Sequence, residues 1–163
     1  MRGVLFAVYN SKWLTRALKI ASKAAVVLTL PVFILLLYKS YTVSPTALLR
    51  LILIMGVPFV LVTALRKLLN LPRPYEVYDF YEAAPKNKCG ESFPSRHVFS
   101  ITLIGTVAVF PYPAIGISLL AVGTILAASR VLLGMHFIRD VLTGALIGAF
   151  AAIVGVITLS PFT

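Results

Sequence analysis

The stretch SRVLLGMHFIRD, Ser129 to Asp140, puts two arginines, a histidine and an aspartate between uncharged runs; nothing from Val98 to Ser129 or from Val141 to Thr163 carries a formal charge. His136 and Asp140 are four residues apart, so if they open a helix they share a face. A carboxylate placed there accepts a hydrogen bond from one ring nitrogen and leaves the other with a free lone pair. It also stabilises the cation that forms when the ring attacks an electrophile. An aspartate in the first turn of a helix is stabilised by the helix dipole as well, and the two roles are compatible.

Two more segments carry the same kinds of residue. RKLLNLPRP (Arg66–Pro74) contributes Arg66 or Lys67 together with Arg73, and FPSRH (Phe93–His97) contributes Ser95, Arg96 and the only other histidine, His97. Arginines gathered at one point repel one another, and few acids are present to neutralise them. A bound anion resolves the conflict, and phosphate suits the planar guanidinium fork. Ser95 follows Pro94 and is placed to cap a helix whose free N–H groups favour an anion. The competing reading, that the cations reach out to lipid headgroups, is preferred for Lys86, Lys88 and Arg139 but not for Arg73 or Arg130. Together these residues fit phosphoryl transfer. His136 attacks phosphorus, Asp140 orients it, and His97 protonates the leaving oxygen and then activates water. Arg66, Lys67, Arg73, Ser95, Arg96 and Arg130 are the phosphate-binding candidates. No metal is expected, because arginine supplies the positive charge and two histidines with few carboxylates make a poor ligand set.

Those segments must be brought together by the rest of the chain. It has 163 residues, 60% hydrophobic and only 12% charged. That charge deficit and the long apolar runs read as an all-α, polytopic transmembrane helix bundle in a single domain. Too little polar face remains for a water-soluble helical core. Five spans are expected, over about 21–38 (with Pro31 as a kink), 46–65, 95–110, 114–132 and 136–159. They are preceded by a basic amphipathic helix within residues 1–20 lying in the interface. Residues 66–97 form a polar loop. This threading puts all three chemical segments at one membrane surface. Gly144 and Gly148 form a small-xxx-small pair that permits close helix packing. The net charge of +10 flanks apolar segments, which favours anionic lipid or a polyanionic substrate over nucleic acid. Cys89 is the only cysteine, so no intrachain disulfide forms. The N-terminus lacks the pattern of a signal peptide, since its first apolar run starts late.

The three segments resemble the signature of the type 2 phosphatidic acid phosphatase superfamily, which includes vanadium haloperoxidases and bacterial acid phosphatases. Arg66, Arg73 and Pro74 match its first motif with Arg in place of the usual Lys. Pro94, Ser95 and His97 match the second, with Arg96 where the family has Gly. Ser129, Arg130, His136 and Asp140 match the third in full. The resemblance implies the roles given above: His136 nucleophile, Asp140 its partner, His97 acid, the remaining motif residues phosphate ligands, no cofactor. It implies a haloperoxidase-like helical fold.

A site at the membrane surface points to a lipid with a terminal phosphate as substrate, its tail lying between spans. Phosphatidic acid, phosphatidylglycerophosphate, undecaprenyl pyrophosphate and lipid A phosphates all qualify. Arg96, which is able to meet the same phosphate, a second phosphate or a headgroup, tilts the reading towards a highly charged head. Membrane lipids are the other expected partners; no nucleic acid or obligate protein partner is. On this threading only Lys39 and Arg50 lie near the opposite surface, so the positive-inside rule puts the site in the cytoplasm. The family resemblance implies the outer face of a bacterial plasma membrane, and the reading leans that way. A lipid phosphotransferase, a vanadate-binding haloperoxidase and a catalytically inactive lipid-binding membrane protein are the alternatives.

Overall fold

The computed structural model describes residues 2–78 and 89–163. Its helices are α1 (Arg2–Asn10), α2 (Lys12–Val43), α3 (Pro45–Leu69), α4 (Pro74–Val77), α5 (Arg96–Val109), α6 (Pro113–Leu132) and α7 (Ile138–Leu159). The chain from Lys12 to Val43, the segment starting at Pro45, α6 and α7 are each long and apolar enough to cross a bilayer. Their outer faces carry apolar side chains that water would not tolerate: Leu61 is 63% exposed, Leu146 and Phe150 70%. Lipid covers such faces, and the protein is an integral membrane protein.

Inside the bundle, Leu36 of α2, Leu51 and Ile54 of α3, Phe99 and Leu103 of α5 and Ala152 of α7 form one buried cluster. Between helices in lipid, association rests on close van der Waals packing rather than on exclusion of water. The pair expected from sequence supplies that closeness. A Cβ on Gly144 would sit 2.6 Å from the Ser95 carbonyl oxygen, and one on Gly148 would sit 2.6 Å from that of Phe99. Helix α7 therefore lies directly against the first turns of α5, the helix that carries His97.

The third expected span, α5, has only 14 residues. At 1.5 Å per residue it rises about 21 Å, short of the roughly 30 Å hydrocarbon core. It packs chiefly against α7 and α6.

The N-terminal region differs from the sequence expectation. One interfacial helix was expected over residues 1–20; the structure has a break at Ser11, whose hydroxyl accepts a bond from the Leu14 N–H and caps α2. Residues 12–19 belong to α2, which runs through Pro31 as one helix of 32 residues. The physical reason is the cap: a serine able to satisfy a first-turn donor stops one helix and starts another. Only α1 is separate, with Leu5 and Val8 buried. Lys86 and Lys88, read as headgroup contacts, lie outside the described residues.

Candidate active site

The spacing of the third motif has a structural cause. Helix α6 ends just after Arg130, and the Arg130 carbonyl then accepts both the Met135 and the His136 N–H, at 3.0 and 3.3 Å. The tight reversal passes through Gly134 at φ +63°, a backbone conformation that costs glycine little. Five intervening residues thus bring His136 back beside the arginine. Helix α1 straps this turn: the Tyr9 hydroxyl donates to the Leu133 carbonyl at 2.7 Å. Burial raises the Tyr9 phenol to about 12, which keeps it protonated as a donor.

His136 stands just before α7, and Asp140 in its first turn. The expected shared helix face is therefore replaced by a different wiring. His136 Nδ1 is 2.8 Å from the Ser92 carbonyl oxygen. A carbonyl only accepts, so Nδ1 carries the proton and Nε2 keeps its lone pair. Asp140 Oδ2 is 3.8 Å from Nδ1, too far for a hydrogen bond and close enough to pair with the ring when it is protonated. That oxygen is occupied elsewhere: it accepts from the Phe137 N–H at 2.9 Å and from the Ser92 hydroxyl. Asp140 thus holds both the residue whose carbonyl orients His136 and the start of its own helix. The Asp140 carbonyl accepts the Ser95 N–H at 2.9 Å, which ties α7 to α5.

Burial of His136 lowers its pKa below the ordinary 6.5, and the Arg73 and Arg66 cations push the same way against the pull of Asp140. A lowered pKa means a neutral ring at pH 7 with its Nε2 lone pair free. In the ligand-free protein, an ¹⁵N NMR titration should give His136 a midpoint below 6.5. The acid limb that this group imposes should lie there too. A midpoint above 6.5 would show that His136 rests as the cation.

Arg73 lies close enough to both Arg66 and Arg130 for their charges to act on one another, and each of the three is held differently. Arg66, in the last turn of α3, is buried and donates from its two terminal nitrogens to the Pro94 and Glu91 carbonyls. Arg73 is buried and donates from Nε to the Gly90 carbonyl at 2.8 Å. Glu76 accepts the Arg73 backbone N–H at 2.7 Å and, with both carboxylate oxygens, approaches the Gly90 N–H. Arg130 reaches Met135 Sδ from one terminal nitrogen. Among the described residues, the buried Arg66 Nε, Arg130 Nε and Ser95 hydroxyl have no hydrogen-bond partner. Asp140 Oδ1, an acceptor, is a further buried atom without a hydrogen-bond partner. Buried donors left open cost about 1–3 kcal/mol each, so the three donors suit an added acceptor.

Ser95 occupies the cap position of α5, but its hydroxyl makes no capping bond. It is one of those open groups. His97 stands one residue into α5, with Arg130, His136, Arg96 and Arg66 as the titratable groups around it. Lys67 is not brought in: it is exposed, because only the face of α3 that carries Arg66 turns inward. Arg139 is also exposed, as its headgroup reading requires, with Nε 3.5 Å from Asp140 Oδ1. Sequence reasoning missed Ser92 and Glu76. Glu76 had a signal, since Arg73-Pro74-x-Glu76 has the spacing of a helix start with Pro in the first turn and Glu reaching back to the cap. Ser92 had none, because its key group is a backbone carbonyl.

His97 and Arg96 also line a cavity of about 560 Å³ between α2, α3, α5 and α6. Its other walls are mostly apolar, including Val27, Leu30, Phe33, Phe59 and Leu126. Val27, Leu30 and Phe59 are exposed on the outer surface, so the space opens towards lipid. A second cavity of about 340 Å³ shares Phe33, Phe59, Ser100 and Ile104 with it.

The fold is similar to that of two solved structures. One is LpxE of Aquifex aeolicus, at TM-score 0.64 and 23% identity, covering 90% of this chain and 87% of that one. The other is a transmembrane PAP2 type phosphatidylglycerolphosphate phosphatase from Bacillus subtilis, at TM-score 0.71 and 22% identity, covering 99% of this chain and 85% of that one. No curated protein sequence matches the chain significantly. The model of the PAP2 superfamily matches residues 47–162, a stretch that takes in every motif residue described above, and the chain belongs to that superfamily.

Proposed function

We propose that this lipid phosphate phosphatase works through a phosphohistidine at His136, without a metal, on a lipid whose tail lies in the cavity between α2, α3, α5 and α6. The observation that carries this reading is the bond from His136 Nδ1 to the Ser92 carbonyl, which leaves Nε2 free beside a set of unpaired cationic donors. The terminal phosphate binds among Arg66, Arg73, Arg130, Ser95 and the first N–H groups of α5. Nε2 attacks phosphorus, the bond to the lipid oxygen breaks, and His97 gives that oxygen a proton. In the second step His97 takes a proton from water, the water oxygen attacks phosphorus, and the P–N bond breaks to release inorganic phosphate. General acid–base help of this kind contributes roughly 10²–10⁴-fold. The arginines balance the charge on the equatorial oxygens, the task that a metal ion performs in other phosphatases.

The test is phosphate release by purified protein in mixed micelles across phosphatidic acid, phosphatidylglycerophosphate, polyprenyl phosphates and diphosphates, and lipid A. Release from at least one should persist in EDTA and stop with vanadate, a mimic of the trigonal-bipyramidal state. Loss of activity on chelation, restored by a divalent ion, would remove the metal-free mechanism.

A further inference from the structure

Arg96 is the motif position at which this chain departs most in charge and bulk, and its surroundings differ from those of the other arginines. Arg66 and Arg73 are buried and spend guanidinium hydrogen bonds on loop carbonyls. Arg96 is only half-buried. Its guanidinium lies 5.8 Å from the centre of the Phe59 ring, on the wall of the apolar cavity. Among the described residues it has no carboxylate partner. The groups that feel its charge include Arg66 and His97, neither of which offers a negative charge. A cation on an apolar wall, facing other cations, lacks its counter-ion.

The geometry of the reaction says where that counter-ion comes from. On the reading above, His97 protonates the leaving oxygen, so the leaving group departs on the His97 side. The cavity on that side is walled by His97 and Arg96 together. The leaving group of a lipid monophosphate is an alcohol: with phosphatidic acid it is uncharged, and with phosphatidylglycerophosphate its phosphodiester anion stands a whole glycerol away from the scissile phosphorus, so neither brings a charge next to the breaking bond. The leaving group of a lipid diphosphate is a lipid monophosphate, which places an anion one bridging oxygen from the scissile phosphorus and leaves the tail free to continue along the apolar walls.

We propose that Arg96, braced on Phe59, binds the inner phosphate of a lipid diphosphate and makes the enzyme select such substrates over lipid monophosphates. The inference rests on the proposed phosphatase reading. The step balances simply: His136 takes the outer phosphoryl group, the bridging P–O bond breaks, and its electron pair leaves with the lipid monophosphate. Water then returns the outer phosphoryl as inorganic phosphate. A phosphate leaving group is far less basic than an alkoxide, so the proton from His97 matters less in this reaction.

The experiment compares geranylgeranyl diphosphate with geranylgeranyl monophosphate, which share one tail, using full-length protein in mixed micelles. The measured quantity is the ratio of their kcat/KM values, for wild type, Arg96→Gln and Arg96→Gly, with His136→Ala as control. Wild type should favour the diphosphate by tenfold or more. Both Arg96 substitutions should shrink that ratio by roughly ten- to a hundredfold, the size of one charged hydrogen bond. Equal losses on both substrates would overturn the proposal and assign Arg96 to the scissile phosphate. An unchanged ratio, or no preference in wild type, would also overturn it, leaving the phosphatase reading intact so long as release depends on His136. Release from no lipid at all would sink both.

Discussion

His136→Ala is expected to lower kcat by roughly 10⁴-fold or more, the scale on which removal of a covalent nucleophile acts. The loss should fall on turnover and not on folding. His136 is buried, but its side-chain hydrogen bond runs to a backbone carbonyl whose residue is held independently by Asp140. The Arg66, Arg73 and Arg130 cradle remains, so the variant should still bind substrate or vanadate. The diagnostic measurement is a rapid quench with ³²P-labelled substrate. Wild type should carry an acid-labile, base-stable phosphoryl group that His136→Ala lacks. Normal turnover by the variant, or label that survives acid, would move the covalent step to another residue.

Asp140 gives the second large effect. Asp140→Ala removes the acceptor for the Ser92 hydroxyl and the Phe137 N–H at once. It frees the carbonyl that orients His136 and unsettles the start of α7. The expected fall in kcat is roughly 10³-fold or more, by comparison with triad aspartates. Asp140→Asn separates wiring from charge. In a catalytic triad the asparagine variant fails because the wrong ring nitrogen becomes protonated, at a cost of about 10⁴-fold. Here the Ser92 carbonyl, not the carboxylate, selects the tautomer, so Asp140→Asn should lose only about 10²-fold. Losses of equal size in Asn and Ala, with helical content retained, would show that the negative charge itself is what His136 requires.

The amino-acid string revealed the bundle and most of the site because both are written in side-chain type and period. The apolar runs mark α3, α6 and α7 to within a few residues and α2 only in its middle, since that helix starts at Lys12 and not near Ala21, and the turn at Pro111–Pro113 ends α5 where expected. Gly144 and Gly148 signal the α5–α7 contact because only the smallest residue allows backbones so close. Arg66, Arg73, Ser95, Arg130 and both histidines come together because their segments sit at span ends on one side. The hidden parts are those in which the backbone is the actor. The Ser92 carbonyl has no side-chain signature, and Asp140 is wired through donors that every residue type possesses. Ser95 sits at a cap position, yet its hydroxyl makes no capping bond, which its residue type does not announce. The α1–α2 break is set by a single serine in a stretch where the basic and apolar residues keep the same rhythm on either side.

The apolar cavity that opens between α2, α3, α5 and α6 also fixes how the enzyme is supplied. Its entrance faces neighbouring hydrocarbon, so on the proposed reading substrate arrives by lateral diffusion within its own leaflet, with the tail never crossing water. Encounter frequency then follows the mole fraction of substrate among bulk lipids, and adding inert amphiphile at constant total substrate slows the enzyme. On the same reading the two products should part company along different routes, the trimmed lipid sliding back sideways and the phosphate escaping into the aqueous layer.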